Sequence, residues 1–226
     1  MKYNLLFVYA TIVTGEIVNR CVNDGEVSLT FDDAPEKYTE GILKILKKEN
    51  IKATFFVNGY RATMNNRKNW KVLEKIYKDG HTIGTHTYSH PALVKLRDFN
   101  VYRELYDNEL IIRELTGMRP LLFRPPYFSY SDRILNIANH FSYLTVLGDL
   151  DTRDWESQDE SAILEKFKNF TGKSFISIQH DNVNATVKSL KKVINEIRLR
   201  FKIVSMEKCL CRPVYQEDPV YGPLLV

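Results

Sequence analysis

Short runs of β-branched and aromatic residues alternate along this chain with stretches whose apolar residues recur at helical spacing. Val27–Phe31, Ala53–Val57, His81–Gly84, Leu121–Phe123, Tyr143–Leu147, Phe175–Ile178 and Ile203–Val204 are runs of the first kind and predict strands. Ile42, Ile45 and Leu46 form one helical stripe, and Val187, Leu190, Ile194 and Ile197 form another. Gly80, Gly117 and Gly172 stand just past helical stretches, where a left-handed residue ends a helix. Ser157 with Glu160 reads as a capping box that opens the next helix. Alternating strand and helix demands a parallel sheet with right-handed crossovers. Seven strands therefore predict an α/β fold, a single-domain distorted (β/α)7-8 barrel of the TIM-barrel type with incomplete closure. An open doubly wound sheet is the alternative. No GxGxxG or P-loop sits at a strand-to-helix turn, which argues against nucleotide binding.

The chain ends read differently. Residues 1–15 have the form of a secretory signal: Lys2 is the positive start, Leu5–Val13 the apolar run, and Val13 and Gly15 the small residues before a cleavage site. That run is shorter than the roughly 20 residues a bilayer requires, so no stable membrane insertion is expected. An N-terminal buried strand is the competing reading. Residues 16–211 form the domain, and 212–226, with Pro213, Pro219 and Pro223, read as an irregular tail. Secretion would place Cys21, Cys209 and Cys211 in an oxidising compartment, where thiols pair. A bridge from Cys21 to one of the other two would tie the chain ends together; Cys209 to Cys211 is disfavoured by geometry. Asn169-Phe-Thr171 and Asn184-Ala-Thr186 are glycosylation sequons, usable in a secreted eukaryotic protein.

Composition narrows the partners. With 44% hydrophobic and 27% charged residues the chain is an ordinary globular protein. Its net charge of +4 is spread in mixed order along helical faces, with no basic run for nucleic acid. Thirteen Tyr and twelve Phe are enough both for a core and for a groove that holds flat sugar rings.

The candidate chemistry lies just past the strands. Asp32 and Asp33 end the first, where alternation would point them to different sides. A helix cap or Asx turn explains such a pair equally well. His86 and His90 follow the third strand; four apart, on one side of a helical turn, they could chelate a cation, and Asp33 would complete a set of two imidazoles and one carboxylate with open positions. Arg124 follows the next strand, as a surface cation or as a fork that holds a carboxylate. Asp151, Asp154 and Trp155 follow another, and His180, beside an acid, is a general-acid candidate. His81 and His140 read as structural. Polar residues at successive strand ends converge in (β/α) barrels, where the active site is built.

Thr30-Phe-Asp-Asp33, His86-Thr-x-x-His90, Arg124-x-x-Tyr127, Asp151-x-x-Asp154-Trp155 and Ile178-x-His180 occur in that order. The sequence from Val27 to Leu210 thereby resembles the polysaccharide deacetylases, the NodB homology domain of carbohydrate esterase family 4, and most of all the fungal chitin deacetylases. The resemblance implies that Asp33, His86 and His90 bind a divalent metal, zinc first, with cobalt able to replace it in vitro. It makes Asp32 the general base, held by Arg124, and His180 the general acid, tuned by Asp154. The Tyr127 backbone N–H would face the oxyanion, Trp155 and Ile178 would wall the acetyl pocket, and Cys21 would pair with Cys209. The implied activity is hydrolysis of N-acetyl groups on chitin-like polymers, outside the cell or in a cell or spore wall. Ala34 stands where the family has Gly, Ile178 where it has Leu, and the loops are short. These departures motivate an alternative: a catalytically silent relative that binds wall carbohydrate. Peptidoglycan is a third substrate reading.

Overall fold

In the computed structural model, which describes residues 16–64 and 67–217, the apolar runs form short buried strands and the striped stretches form helices. The strands are β1 (Ile17–Val18), β2 (Glu26–Ser28), β3 (Thr30–Ala34), β4 (Thr54–Val57), β5 (Thr82–Thr85), β6 (Met118–Pro120), β7 (Leu122–Phe123), β8 (Leu144–Val146), β9 (Leu150–Asp151), β10 (Phe175–His180), β11 (Lys202–Ile203) and β12 (Tyr215–Glu217). The helices are α1 (Thr39–Lys48), α2 (Gly59–Thr63), α3 (Lys68–Lys78), α4 (Asp98–Thr116), α5 (Asp132–His140), α6 (Asp154–Ser157), α7 (Glu160–Lys168), α8 (Asn184–Arg198) and α9 (Met206–Leu210).

Ten strands join in one parallel sheet in the order β1-β8-β7-β5-β4-β3-β10-β2-β11, with β9 added to β10. No ladder joins β1 to β11 among the described residues, so the sheet is a distorted, incompletely closed (β/α) barrel. All four residues of β4 and of β5 are buried, as expected for strands covered on both faces. Between sheet and helices lies a core that includes Phe31, Phe55, Ile42, Leu46, Leu73 and Ile194. Phe56, Leu122, Val146 and Ile176 form a second cluster with the Cys21–Cys209 disulfide. That bridge links positions 188 apart, and Cys211 is a free, exposed thiol.

Parallel pairing brings the polar strand ends to one side. His180 of β10 is in register with Asp32 of β3, and Thr85 of β5 with Phe123 of β7, just before Arg124.

Several local expectations are corrected. Gly80 and Gly117 do take left-handed φ values of 77° and 70°, but Gly172 is not among the positive-φ residues. Helix α7 instead ends at Asn169, whose N–H bonds to the Glu165 carbonyl. Ser157 closes the short α6, and Asp159 caps α7 by accepting from the N–H groups of Ser161 and Ala162. Within the stretch 212–226, Tyr215–Glu217 is not irregular: it is β12, paired antiparallel with β6. The strands β1, β6, β9 and β12 were not expected; each has only two or three residues, too few to show a period. The signal-like segment 1–15 and residues 218–226 lie outside the described residues. No helix among the described residues is long and apolar enough to cross a membrane.

Candidate active site

A cavity of about 470 Å³ opens at the C-terminal ends of the strands. Asp32, Asp33, His86, His90, Tyr127, Trp155, Ile178 and His180 all line it, as do Pro125, Phe128, Asp151 and Asn182.

Asp32 and Asp33 reach it together because the strand breaks its own alternation. The register of β3 against β4 shifts between Asp32 and Ala34, and Asp33 takes a left-handed φ of 74°. The two carboxylates therefore face one cavity, where regular alternation would have separated them. Ala34 is not among the positive-φ residues; its methyl is fully buried in the core.

The histidines are also placed by a loop, not by a helical turn. Thr87 and His90, after β5, have φ values of 68° and 63°. Asn58, just past β4, donates from Nδ2 to the carbonyls of His86 (2.6 Å) and Thr87 (3.2 Å). Thr87 Oγ1 accepts from the His90 N–H at 3.1 Å. His86 Nδ1 lies 2.7 Å from the Arg124 carbonyl, which makes it the protonated nitrogen and leaves Nε2 a free electron pair.

These three residues suit a divalent cation. Burial lowers the His86 pKa to about 3 and lowers that of His90, against the pull of Asp33, so both rings are neutral donors. Asp33 Oδ1 is buried without a hydrogen bond. It stands 4.0 Å from His86 Nε2 and 3.4 Å from His90 Nε2. Ligands about 2.1 Å from a tetrahedral centre stand about 3.4 Å apart. Among the described residues no other group of three or more His, Cys, Asp or Glu donors converges this way.

Arg124 is not a surface cation but, among the described residues, the largest fully buried side chain. Its Nη1 donates to Asp32 Oδ1 and to Thr30 Oγ1, each at 2.6 Å. Nε donates to the Val146 carbonyl at 3.1 Å, Nη2 to that of Leu147, and the guanidinium lies 4.1 Å from the Phe56 ring centre. Four acceptors and a ring fix the guanidinium, and the guanidinium fixes Asp32.

His180 lines the same cavity as Asp32, one strand away. Its Nδ1 and its backbone N–H reach the two oxygens of buried Asp154 at 2.7 Å each, and Thr186 Oγ1 donates to the same carboxylate. Burial alone would lower the His180 pKa, but the Asp154 hydrogen bond and the charges of Asp32, Asp154 and Asp33 outweigh it and raise the pKa to about 9. Ile178 is buried and Trp155 about half exposed, and both line the cavity. Gly148, at φ 137°, lets the backbone pass close to Ile178: a Cβ there would sit 2.9 Å from Ile178 Cγ1. His81 and His140 are outside the cavity. Buried His81 accepts from the Ala53 N–H at Nδ1, and His140 Nδ1 contacts the Asn136 carbonyl.

Asn58, Thr186 and Asn182, whose Nδ2 lies 3.5 Å from Asp33 Oδ2, were missed from the sequence. Asn58 was within reach of the strand-end rule, since it follows β4 directly. Thr186 had no local signal, because only folding brings it to Asp154.

A cradle of two neutral histidines and the Asp33 carboxylate stands beside a fixed carboxylate and an imidazole locked to a further carboxylate, an arrangement suited to metal-assisted hydrolysis. Residues 19–146 match the family Polysaccharide deacetylase, and the chain belongs to that family. A chitin deacetylase of Arthroderma benhamiae is 33% identical over 211 residues, 90% of this chain and 56% of that protein. A peptidoglycan-N-acetylglucosamine deacetylase of Bacillus cereus is 34% identical over 186 residues, 79% of this chain and 65% of its own length. The chain thus spans 56% and 65% of these two relatives. The solved chitin deacetylase of Colletotrichum lindemuthianum superposes with a TM-score of 0.85 at 28% identity, covering 91% of this chain and 97% of that one.

Proposed function

We propose that this protein hydrolyses the N-acetyl groups of N-acetylglucosamine polymers, chitin-like chains foremost, to release acetate and free amino sugars. One observation carries the reading: a single cavity holds a fixed carboxylate, a cradle of His86, His90 and Asp33, and an imidazole of raised pKa. Chitin is favoured over peptidoglycan by the two fungal relatives, by the resemblance of the end-to-end bridge to fungal enzymes and by the sequons.

Asp33, His86 and His90 would hold the divalent cation, zinc first. Bound there, it would polarise the amide carbonyl and lower the pKa of water. The protein's residues do the rest. Asp32, held by Arg124, takes a proton from the attacking water. The Tyr127 N–H faces the oxygen that gains charge as the carbonyl carbon becomes tetrahedral. The C–N bond then breaks, and His180 Nε2 gives its proton to the departing nitrogen. Trp155 and Ile178 enclose the acetyl methyl. The enzyme works outside the cell or in its wall, with residues 1–15 as the export signal of a domain that runs from residue 16 through β12.

The test is acetate release from N-acetylglucosamine oligomers, with zinc or cobalt supplied and Asp32→Asn as the blank. Release well above the blank is expected. A metal-loaded protein that binds the oligomers and frees no acetate would instead be the silent carbohydrate-binding relative. Of the three observations behind that alternative, the one on Ala34 is weakened, because the residue with left-handed φ is Asp33; Ile178 and the short loops stand.

A further inference from the structure

Thr87 lies between the candidate metal ligands His86 and His90 in a backbone shape that its own side chain opposes. Its φ is 68°, in the left-handed region, where a β-branched residue is an outlier. Such a conformation persists only where its surroundings over-determine it. We propose that Asn58 is the positioning residue that holds this turn, and that it thereby sets where His90 stands and how tightly the cradle takes a divalent cation. This role presupposes the cradle reading and goes beyond the three ligands to the group that assembles them.

Asn58 joins both arms of the cradle. It is buried and follows β4 directly. Its backbone N–H donates to the Ala34 carbonyl at 3.0 Å, at the end of the strand that carries Asp33. Its Nδ2 donates to the carbonyls of His86 at 2.6 Å and Thr87 at 3.2 Å, on the arm that carries the histidines. The amide cannot turn over, because two carbonyls need its nitrogen. Its Oδ1 is left buried with no hydrogen bond. An orphaned buried oxygen is unfavourable, and a residue that only filled space would not require one.

The two histidines depend on Asn58 unequally. His86 has other anchors: its N–H donates to the Val57 carbonyl at 2.9 Å, and its Nδ1 lies 2.7 Å from that of Arg124. His90 hangs on the turn itself. Its N–H donates to Thr87 Oγ1 at 3.1 Å, and its own φ is 63°. Glu104 of α4 holds the far side of the loop, where it accepts from the Ser89 N–H at 2.7 Å and Oγ at 2.6 Å. Loss of Asn58 should therefore shift the turn without unravelling it, and carry His90 Nε2 away from Asp33 Oδ1, now 3.4 Å distant.

The experiment measures zinc affinity, by competition with a chromophoric chelator, for wild type, Asn58→Ala, His90→Ala and the double variant, with circular dichroism as the check on folding. Asn58→Ala should weaken zinc about 10- to 100-fold, the usual size of effect for a group behind a metal ligand. Because Asn58 acts through His90, the double variant should bind no more weakly than His90→Ala alone. Losses that multiply, or an unchanged affinity in Asn58→Ala, overturn the proposal. Thr87→Asn added to Asn58→Ala should recover most of the affinity, since Asn accepts left-handed backbone and keeps an acceptor for the His90 N–H. If Asn58→Ala does not fold, Asn58→Ser, which keeps one donor, takes its place in the same cycle. A wild type that binds no stoichiometric zinc sinks the cradle reading instead. A crystal structure of the metal-free Asn58 variant then still decides the role of Asn58: Thr87 leaving its positive φ supports it, and an unchanged turn with His90 in place overturns it.

Discussion

At the scale of single residues the site works by pairing each reactive group with one that fixes its state. Arg124 orients Asp32, the Arg124 carbonyl sets the tautomer of His86, and Asp154 holds His180. The last pairing has a pH signature. His180 has a raised pKa, so the proton donor is present below that pKa and is lost as pH rises through it. The alkaline limb of kcat/KM should lie at or below about 9, because a cation in the nearby cradle repels an imidazolium. Asp154→Asn removes the strongest support for the charged ring. The limb should move to lower pH and the plateau should drop about 10²-fold; a pH–rate profile checks both, and an unmoved limb would remove His180 as the acid. His86→Ala should keep the fold by circular dichroism and lose stoichiometric metal by elemental analysis. Full metal retention would refute the cradle.

At the scale of elements, the informative feature is the end of β3. A bulge and one left-handed residue turn Asp33 to the same side as Asp32. Ala34 stands where the resembled family has Gly, which suggests strain there, but its methyl lies in the core and its φ is not positive. Ala34→Gly should therefore destabilise the protein by about 1 kcal/mol, through one lost buried methyl and a freer unfolded chain. Turnover should not rise. A lower Tm with unchanged kcat is the expected result; a large gain in kcat would show that Ala34 displaces Asp33 after all.

Seven runs were legible because they are rich in β-branched or aromatic residues, most of them buried, and α1 and α8 because their stripes keep one face apolar. The strands β1, β6, β9 and β12 were not, since their pairing is supplied by neighbours and not by their own pattern. Tyr215–Glu217 became a strand because Met118–Pro120 offers it an edge. In the same way the Gly172 and Ser157 expectations failed because several residues near a helix end can stop or cap it, and local geometry selected Asn169 and Asp159.

At the scale of the whole molecule, the sheet is held together from outside as well as by its ladder. The Cys21–Cys209 bridge ties the segment before β2 to α9, and the Val22 N–H donates to the Cys209 carbonyl at 2.8 Å beside it. Replacing both cysteines, Cys21→Ser with Cys209→Ser, should cost about 3 kcal/mol. It should lower Tm clearly while leaving the site intact at low temperature. Peptide mapping without reduction should recover Cys21 joined to Cys209; Cys21 joined to Cys211 would overturn the pairing.

The sequence alone determined that strands and helices alternate and that acids, imidazoles and an arginine follow the strands. Those properties are written in residue type and spacing, which act locally. Tertiary structure decided where each group points and in which state it is held. Asp33 turns inward at a bulge, Thr87 and His90 adopt left-handed backbone that no periodicity announces, and Arg124 is buried on carbonyls of β8 and the residue after it. The loop after β5 is held by Glu104 of α4, whose carboxylate accepts from the Ser89 N–H and Oγ and whose carbonyl accepts from the Tyr88 N–H. Such features depend on contacts between distant segments, and the energy that selects them exists only once the sheet and its helices have assembled around them.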